Sequence, residues 1–383
     1  MRTSLDISTM NTPYYIYDKE LFTATINAAK AEAAQIANAH IHFAVQSNNN
    51  RELITIAAKA GLGADCVSGA EITHCISCGI PAEKIMFAGV GKTDSEIRLA
   101  LEVGVGCFNI ESIPELEVIN QIAASCGKIA KIAIRVNPNI DAGTHAHITT
   151  GLDENKFGVS LIRALEAIQL AHSLSNTHYL GLHFHIGSQV LDMTPFAHLA
   201  RFINQIQDRM EAAGITDTVS INVGGGLGVD YYDPESNPIP DFKAYYKAYT
   251  DNLKLRPGQE LHFEFGRALS AQCGRLISRC LYVKQAVGHD IAILDAGMTE
   301  LIRPALYQAH HKIINITGRD EQRPLHTYDV VGPICESSDV FASQIRLHEM
   351  RRGDLIAILS AGAYGRTMSS NYNMHPLPPE VVE

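Results

Sequence analysis

The stretch that decides the fold is IHFAVQSNNNRELITIAAKAGLGADC, residues 41–66. A short apolar run at 41–45 is followed by apolar residues spaced three and four apart, and a second short run occupies 62–66. The runs are typical of buried strands, and the spacing between them is typical of an amphipathic helix that ends at Gly61. A strand, a helix and a strand in this order predict a unit with two parallel strands.

The same alternation continues to residue 266. The eight predicted strands are 41–45, 62–66, 84–89, 105–110, 132–138, 179–186, 219–226 and 261–266. Helical patterns lie between them, so the chain is predicted to be an α/β protein with a closed (β/α)8 barrel. An open doubly wound sheet is the alternative. It would gather Gly and polar residues at one switch point, whereas here they follow many strands.

The pattern changes after residue 270, where strand-like runs follow one another without helices of the barrel type. These runs are 275–285, 289–297, 326–332 and 354–362, and PYYIYD at 13–18 is a further strand that could join them. We predict two domains: a barrel at 22–270, and a mostly-β domain made of 1–21 and 271–383.

Composition excludes several kinds of partner and site. The 383 residues carry a formal net charge of -10 without a run of Lys or Arg, so neither nucleic acid nor an anionic membrane is expected as a partner. No segment has the apolar length of a signal peptide or a membrane helix, and the cytoplasm is the expected location. Cys75 and Cys78 form a C-x-x-C motif without the second pair that zinc requires, and His145 and His147 lack an acidic partner. We therefore predict no metal, and reduced thiols.

Residues that follow barrel strands form the active-site mouth. Polar residues and glycines recur at these positions: Gln46, Asp65, Arg135, Asn137, His185, Ser188, Gly224, Gly225, Gly226, Glu264 and Arg267. Three consecutive glycines let backbone N–H groups approach a ligand, and barrels often bind phosphate after their seventh and eighth strands. The glycine run therefore predicts a phosphate site, with a tight turn as the alternative.

His185 and Glu264 indicate what could carry that phosphate. The imidazole of His185 can lie on a flat aromatic ligand while Ser188 donates to its phosphate, and a core histidine is the alternative. A carboxylate at the end of the last strand must be paired, because an isolated buried charge is costly. Its partner is either Arg267 or a protonated ring nitrogen, as in proteins that tune pyridoxal phosphate.

The predicted β domain supplies a second group of candidates. Cys335 and Glu336 are adjacent in a loop rich in Gly, Pro and Ser, a poor place for a purely structural pair. Four more candidates, each also explained by packing or by a surface position, are Arg303, Tyr307, Tyr364 and Tyr372.

Motifs along nearly the whole chain resemble the diaminopimelate decarboxylase family of fold type III, alanine-racemase-like enzymes. They are, among others, HFAVQSNNN, GLGADCVSGAEI, GLHFHIGSQ, NVGGGLGVDY, EFGRALSAQCG, DAGMTELIRPALY, GPICESSDVF and GAYGRTMSSNYN. The resemblance implies a barrel followed by a β domain, pyridoxal 5'-phosphate as cofactor, and a head-to-tail homodimer with shared active sites. It also implies a carboxy-lyase of lysine biosynthesis.

The resemblance assigns roles to individual residues. Around the cofactor it places Asp65, His185 on the ring, Ser188 and Gly224, Gly225 and Gly226 at the phosphate, Glu264 at the ring nitrogen, Gly266, Arg267, and Tyr364 reaching the phosphate from the partner subunit. Around the substrate it places Arg267, Arg303, Tyr307, Glu336 and Tyr364. It makes Cys335 the group that returns a proton after CO2 leaves.

The expected substrate is inferred from Glu336 and Arg303. Ornithine-type decarboxylases of this fold tend to have Asp after the loop cysteine, where this chain has Glu336. Arg303 is available for a second carboxylate, which its planar fork of donors matches. We expect meso-2,6-diaminopimelate, giving L-lysine. A decarboxylase of another basic amino acid or polyamine precursor is the alternative.

Gln46 departs from the family, which has at this position the lysine that forms a Schiff base with the cofactor. An amide nitrogen is not nucleophilic, and residues 47–50 offer no amine. We expect an impaired chain, because losing such a group commonly costs several decades in rate. The chain is either an otherwise complete enzyme altered at one position or a non-catalytic homologue with a binding or regulatory role. The first is favoured because the other motifs are intact. Phe265, where the family usually has Pro, removes no chemical group.

Overall fold

The computed structural model describes residues 10–140 and 156–383, so that His145 and His147 lie outside the described residues. The chain divides into two compact units. The barrel unit comprises 25–228 and 241–266, and the sheet unit comprises the residues up to Ala24 together with 229–240 and 267–383. The domain boundaries proposed from the sequence stay a prediction. The first described elements are strand β1 (Tyr14–Tyr17) and helix α1 (Lys19–Ala33).

Eight parallel strands close in chain order into a barrel, so the predicted (β/α)8 architecture is confirmed and the open sheet is excluded. The strands are β2 (Ala39–Ala44), β3 (Gly63–Cys66), β4 (Ile85–Phe87), β5 (Cys107–Ile110), β6 (Ala130–Arg135), β7 (Thr177–His183), β8 (Ser220–Asn222) and β9 (Glu260–Phe265). Helices cover the outer face of such a barrel, which explains why these strands read as apolar runs. Their parallel order directs every carboxyl end to one mouth.

Several barrel helices begin or end at residues that cap them. The barrel helices are α2 (Arg51–Lys59), α3 (Gly69–Ser77), α4 (Asp94–Val103), α5 (Ile113–Ser125), α6 (Leu161–Ser173), α7 (Thr194–Ala212) and α8 (Phe242–Thr250). The side chain of Asn50 accepts two backbone N–H groups at the start of α2. Thr93 and Glu96 form a capping box on α4, which Gly104 ends at φ +77°. None of the described helices combines the length and the apolarity needed to cross a membrane.

Glu264 and Phe265 end β9 and project to opposite sides of the barrel wall, because neighbouring residues on a strand alternate. The ring of Phe265 packs against α8, with centroid distances of 5.3 Å to Tyr245 and 5.4 Å to Phe242. Glu264 is therefore directed into the barrel interior. The ring of Phe265 therefore adds aromatic packing outside the barrel.

The sheet unit is built on eight strands, six of them in the order β12-β15-β10-β11-β13-β14. Its later elements are β10 (Gly274–Gln285), β11 (Asp290–Leu294), β12 (Ile313–Asn315), β13 (Leu325–Val331), β14 (Val340–His348), β15 (Leu355–Ile358) and β16 (Glu380–Val382), with α9 (Arg267–Ser270), α10 (Arg303–Tyr307) and α11 (Ile316–Asp320). All four runs predicted in the tail form strands. Strand β1 pairs with β10 and β16, which confirms that PYYIYD joins this sheet.

Candidate active site

Gln46 lies directly after β2, in a single 3-10 turn over Val45–Ser47. Its neighbours Val45 and Ser47 are buried, whereas Gln46 is exposed. The turn is held by the hydroxyl of Ser47, which donates to the carbonyl oxygen of Ala44 at 2.8 Å. Within the described part of the chain, the side chain of Gln46 has no hydrogen-bond partner. It stands at the barrel mouth and takes no part in folding the turn.

The carboxylate of Glu264 is the centre of a buried network at the ends of three other strands. Oε1 accepts from Asn222 Nδ2 at 2.7 Å and from Asn109 Nδ2 at 3.5 Å, and Oε2 lies 3.1 Å from His183 Nε2. Burial alone would raise the pKa of Glu264. The facing His183 and the donated hydrogen bonds outweigh burial and lower it, so the carboxyl group is ionised. The sequence offered Arg267 or a cofactor as partners and missed His183.

His185 and the glycine loop meet beside this network. The N–H of Gly225 donates to His185 Nδ1 at 3.3 Å, and a Cβ on Gly225 would lie 1.9 Å from the carbonyl oxygen of Glu264. Gly224 and Gly226 have φ values of +70° and +109°, which side chains rarely adopt. The N–H of Gly226 has no acceptor among the described residues. Burial and the charge of Arg135 lower the pKa of His185 to about 3, so its imidazole is neutral.

Two further ionisable groups lie at the same strand ends. Asp65, at the end of β3, is buried, and its Oδ1 has no partner in the described chain. Burial and then Glu264 raise the pKa of Asp65. Arg135, at the end of β6, donates to Glu111 Oε1 at 2.7 Å, and both side chains are buried. The remaining predicted mouth residues of the barrel unit are Asn137, Ser188 and Gly266, which follow β6, β7 and β9.

In the sheet unit, Arg267 and Arg303 are both buried, and their guanidinium groups lie 5.9 and 5.1 Å from the ring centroid of Tyr231. Arg267 donates to the Tyr231 hydroxyl at 2.6 Å, and its guanidinium lies 4.9 Å from the ring centroid of Tyr364. Tyr307 is partly buried, one helical turn after Arg303 in α10. The sequence identified the two arginines but did not predict that they share Tyr231.

Cys335 and Glu336 are exposed in a loop of the sheet unit. The N–H of Cys335 donates to Asn373 at 3.1 Å, and the Tyr372 hydroxyl donates to Glu336 at 2.7 Å. The loop is shaped by Asp339, whose carboxylate accepts backbone N–H groups of Ile334 and Met298. The two predicted residues are therefore presented to solvent on a well-defined turn.

Sequence reasoning missed a buried lysine at the mouth. Lys92 Nζ donates to Glu115 at 2.6 Å and to the carbonyl oxygens of Gly89 and Asn109, both at 2.8 Å, and its side chain is fully buried. A lysine followed by a capping Thr at a predicted strand end was the available signal. The described residues contain no group of three or more His, Cys, Asp or Glu that could hold a metal ion.

The residues at the barrel mouth fit pyridoxal 5'-phosphate. The N–H of Gly226 is available to an anion, in a loop that only glycine can form. The neutral imidazole of His185 suits contact with an aromatic ring, and the ionised Glu264 suits a protonated ring nitrogen. Asp65 offers a buried oxygen without a partner in the described chain. The one group that does not fit is Gln46.

Comparison with known proteins identifies the family. Residues 23–271 match the family model described as pyridoxal-dependent decarboxylase, pyridoxal binding domain. A diaminopimelate decarboxylase of Bacteroides thetaiotaomicron is 55% identical over 370 residues, which cover 97% of this chain and 95% of that protein. The chain belongs to this family of pyridoxal-phosphate enzymes, and the resemblance found in the sequence is confirmed.

Solved structures agree with this assignment. A diaminopimelate decarboxylase of Helicobacter pylori, complexed with L-lysine, has a TM-score of 0.92 and 39% identity, covering 98% of this chain and 92% of that chain. A lysine/ornithine decarboxylase of Vibrio vulnificus, complexed with putrescine, has a TM-score of 0.83 but only 21% identity, over 98% of this chain and 96% of that chain. The second likeness shows the fold alone.

Proposed function

We propose that this chain acts on meso-2,6-diaminopimelate and releases CO2 and L-lysine. The 55% identity to the Bacteroides enzyme supports this substrate. The observation that carries the proposal is Arg303, a buried guanidinium without a carboxylate partner in the described chain. A substrate with a second carboxylate supplies the missing charge, and the planar donors of arginine suit it.

The barrel residues bind and orient the cofactor. Pyridoxal phosphate bound there would supply an electron sink for decarboxylation. Gly226 and Ser188 would bind its phosphate, and neutral His185 would contact its ring. Glu264 keeps the ring nitrogen protonated, because an ionised carboxylate stabilises the charged form. His183 orients Glu264 for this task.

The sheet-unit residues recognise the substrate and move the proton. The substrate is bound by Arg303 together with Arg267, Tyr307, Glu336 and Tyr364. Cys335 returns a proton to the carbon that has lost CO2. We infer a homodimer in which one copy completes the site of the other. The exposure of Cys335 and Glu336 within a single chain supports this inference. The eight free cysteines support the cytoplasm as the location, since thiols persist in reducing compartments.

Gln46 impairs this activity because its amide stands where the cofactor requires an amine. Lys92 is the buried lysine at the mouth, but Glu115 and two backbone carbonyls hold its ammonium group. Lys59 lies at the end of α2, on the helix that follows the Gln46 turn. Without an amine at position 46, the cofactor loses its covalent tether and the positioned exchange with substrate.

The test is the substitution Gln46→Lys, with CO2 release from meso-2,6-diaminopimelate as the assay. We expect activity to rise by several decades, and borohydride to trap the cofactor on the peptide that contains position 46. Gln35→Lys places the same amine at another exposed glutamine and should change neither result. Borohydride trapping in the unaltered chain at residue 46 would contradict the impairment. A lysine variant that releases no CO2 would contradict the substrate.

A second candidate function is favoured by Gln46 itself: a binding or regulatory protein on the same fold. It predicts that the Gln46→Lys variant binds meso-2,6-diaminopimelate as tightly as the unaltered chain does but still releases no CO2. The two candidates therefore give opposite results in one assay.

A further inference from the structure

Two tyrosine–histidine pairs lie side by side in the sheet unit, one buried and one exposed. In the buried pair, Tyr231 and His311 meet edge to face, with ring centroids 5.1 Å apart. In the outer pair, Tyr232 and His310 stack with centroids 4.2 Å apart, and Tyr232 is 75% exposed. Of the two described pairs, the buried one contacts the guanidinium of Arg303.

His311 fixes which edge of Arg303 is free. Arg303 Nε donates to His311 Nε2 at 3.2 Å, and His311 Nδ1 donates to the carbonyl oxygen of Leu359 at 2.9 Å. An imidazole that accepts at one nitrogen and donates at the other is neutral, and its tautomer is set by the backbone carbonyl. Since Nε is occupied, only the two terminal nitrogens of Arg303 are left for a ligand.

Tyr231 joins the two guanidinium groups. Its ring centroid lies 5.1 Å from the Arg303 guanidinium, and its oxygen accepts from Arg267 at 2.6 Å. The hydroxyl proton of Tyr231 has no acceptor among the described residues. A donor of this kind inside a cationic cluster points toward an anion.

The terminal nitrogens of Arg303 are the part of its guanidinium that a ligand can reach. They have no hydrogen-bond partner in the described chain, yet they are not sealed from solvent. A buried guanidinium without a counter-charge is costly, so a bound carboxylate relieves a penalty that is built into the fold.

We propose that Tyr231 and His311 are positioning residues for carboxylate recognition by Arg303 and Arg267. His311 occupies Nε of Arg303, so that a carboxylate can form only an end-on, bidentate contact with the two terminal nitrogens. Tyr231 holds both guanidinium groups in place and adds its own hydroxyl proton. The ligand class is an amino acid with a second carboxylate. This inference rests on the proposed function, which assigns the arginines to the substrate.

The experiment measures dissociation constants by calorimetry, using the full chain loaded with pyridoxal phosphate and three ligands. The ligands are meso-2,6-diaminopimelate, cadaverine, which has the same amines and no carboxylate, and glutarate, which has two carboxylates and no amine. Tyr231→Phe and His311→Leu should weaken diaminopimelate and glutarate by roughly ten- to a hundredfold, the usual effect of losing a hydrogen bond to a charged group. Cadaverine should stay within about twofold, because no carboxylate contact is involved.

Matched controls separate positioning from general damage. Tyr232→Phe and His310→Gln alter the outer pair and should leave all three constants unchanged. His311→Gln keeps an acceptor for Arg303 and should recover most of the loss in His311→Leu. In the Gln46→Lys background, Tyr231→Phe should raise KM while kcat stays nearly constant.

The outcomes distinguish the two proposals. Equal weakening of cadaverine and the dicarboxylates, or no weakening of either dicarboxylate, overturns the positioning role. An unaltered chain that binds glutarate but not diaminopimelate overturns the proposed substrate, while weaker glutarate binding in Tyr231→Phe still supports the positioning role. An unaltered chain that binds neither dicarboxylate overturns both.

Discussion

Glu264→Gln tests the electrostatic centre of the barrel with almost no change of shape. In the unaltered chain the carboxylate accepts from Asn222 at 2.7 Å and faces His183 at 3.1 Å. The amide introduced by the substitution can keep the bond from Asn222 through its oxygen, which turns its NH2 group toward His183 Nε2. His183 can then accept by moving its proton to Nδ1, which has no partner within the described chain. The variant should therefore fold.

The free energy of unfolding that Glu264→Gln should lose is the difference between charge-assisted and neutral hydrogen bonds. Bonds to a charged group contribute about 1.5–3 kcal/mol each and neutral ones about 1 kcal/mol. For the two short contacts, we expect the free energy of unfolding at pH 7 to fall by about 2 kcal/mol. The measurement is urea unfolding without added pyridoxal phosphate, with the exposed Glu117→Gln as a control that should change nothing.

The stabilisation by ionised Glu264 should depend on pH in one direction. The pKa of Glu264 is lower in the folded chain than its ordinary value of 4.5, so the unfolded state binds more protons as the pH falls below 4.5. The stabilisation is complete above pH 4.5 and is lost as the pH falls through the folded value. The difference between the unaltered chain and the variant should shrink accordingly. A difference that is absent at pH 7, or that stays constant down to about pH 3, would refute the account of an ionised Glu264.

Three other predictions concern the barrel and are measured by urea unfolding. Gly225→Ala should lower stability by about 2 kcal/mol, because its Cβ would lie 1.9 Å from a backbone oxygen, whereas Gly91→Ala meets open space and should be neutral. Glu111→Gln should cost about 3–5 kcal/mol, since it leaves Arg135 charged and buried, and a smaller loss would contradict the buried pair. Burial lowers the pKa of His42 to about 3 from 6.5, so the unfolded chain binds the extra proton below pH 6.5, and His42 alone should lower stability by about 2 kcal/mol between pH 6.5 and about 5. His42→Asn should remove this share of the pH dependence and leave the share of His185, whose pKa burial also lowers to about 3. An unchanged slope would count against a neutral buried His42.

The sequence predicted the barrel because each strand is buried and short, with an amphipathic helix after it. The elements it missed are those that lack such a pattern. Strand β14 is at the edge of the sheet, paired only with β13 among the described strands, and most of its residues are not buried. Strand β12 has three residues, too few to show a period. Hydrophobic pattern reports burial, so exposed and very short strands escape it.

The candidate site could be predicted position by position but not contact by contact. Parallel strand order places Asp65 and Glu264 at one mouth, and this order is visible in the sequence. The hydrogen-bond partners of these residues are not visible in the sequence, because closure of the barrel determines which strand ends face each other. His183 and Glu264 are 81 residues apart, and Arg267 and Tyr231 are 36 apart. No local pattern distinguishes these pairings from others with the same residue types.

The side chain at position 46 and the buried charge of Arg303 differ in their effect on the stability of the chain. Gln46 is exposed, and the turn that carries it is held by Ser47, so the side chain at position 46 is free to vary without loss of stability. Arg303 is the opposite case, since burying its charge lowers stability unless a ligand compensates. A fold that carries such a charge is suited to an anionic ligand. The buried charge of Arg303 therefore favours a binding-competent site, whereas the proposed chemistry depends on the exposed side chain at position 46.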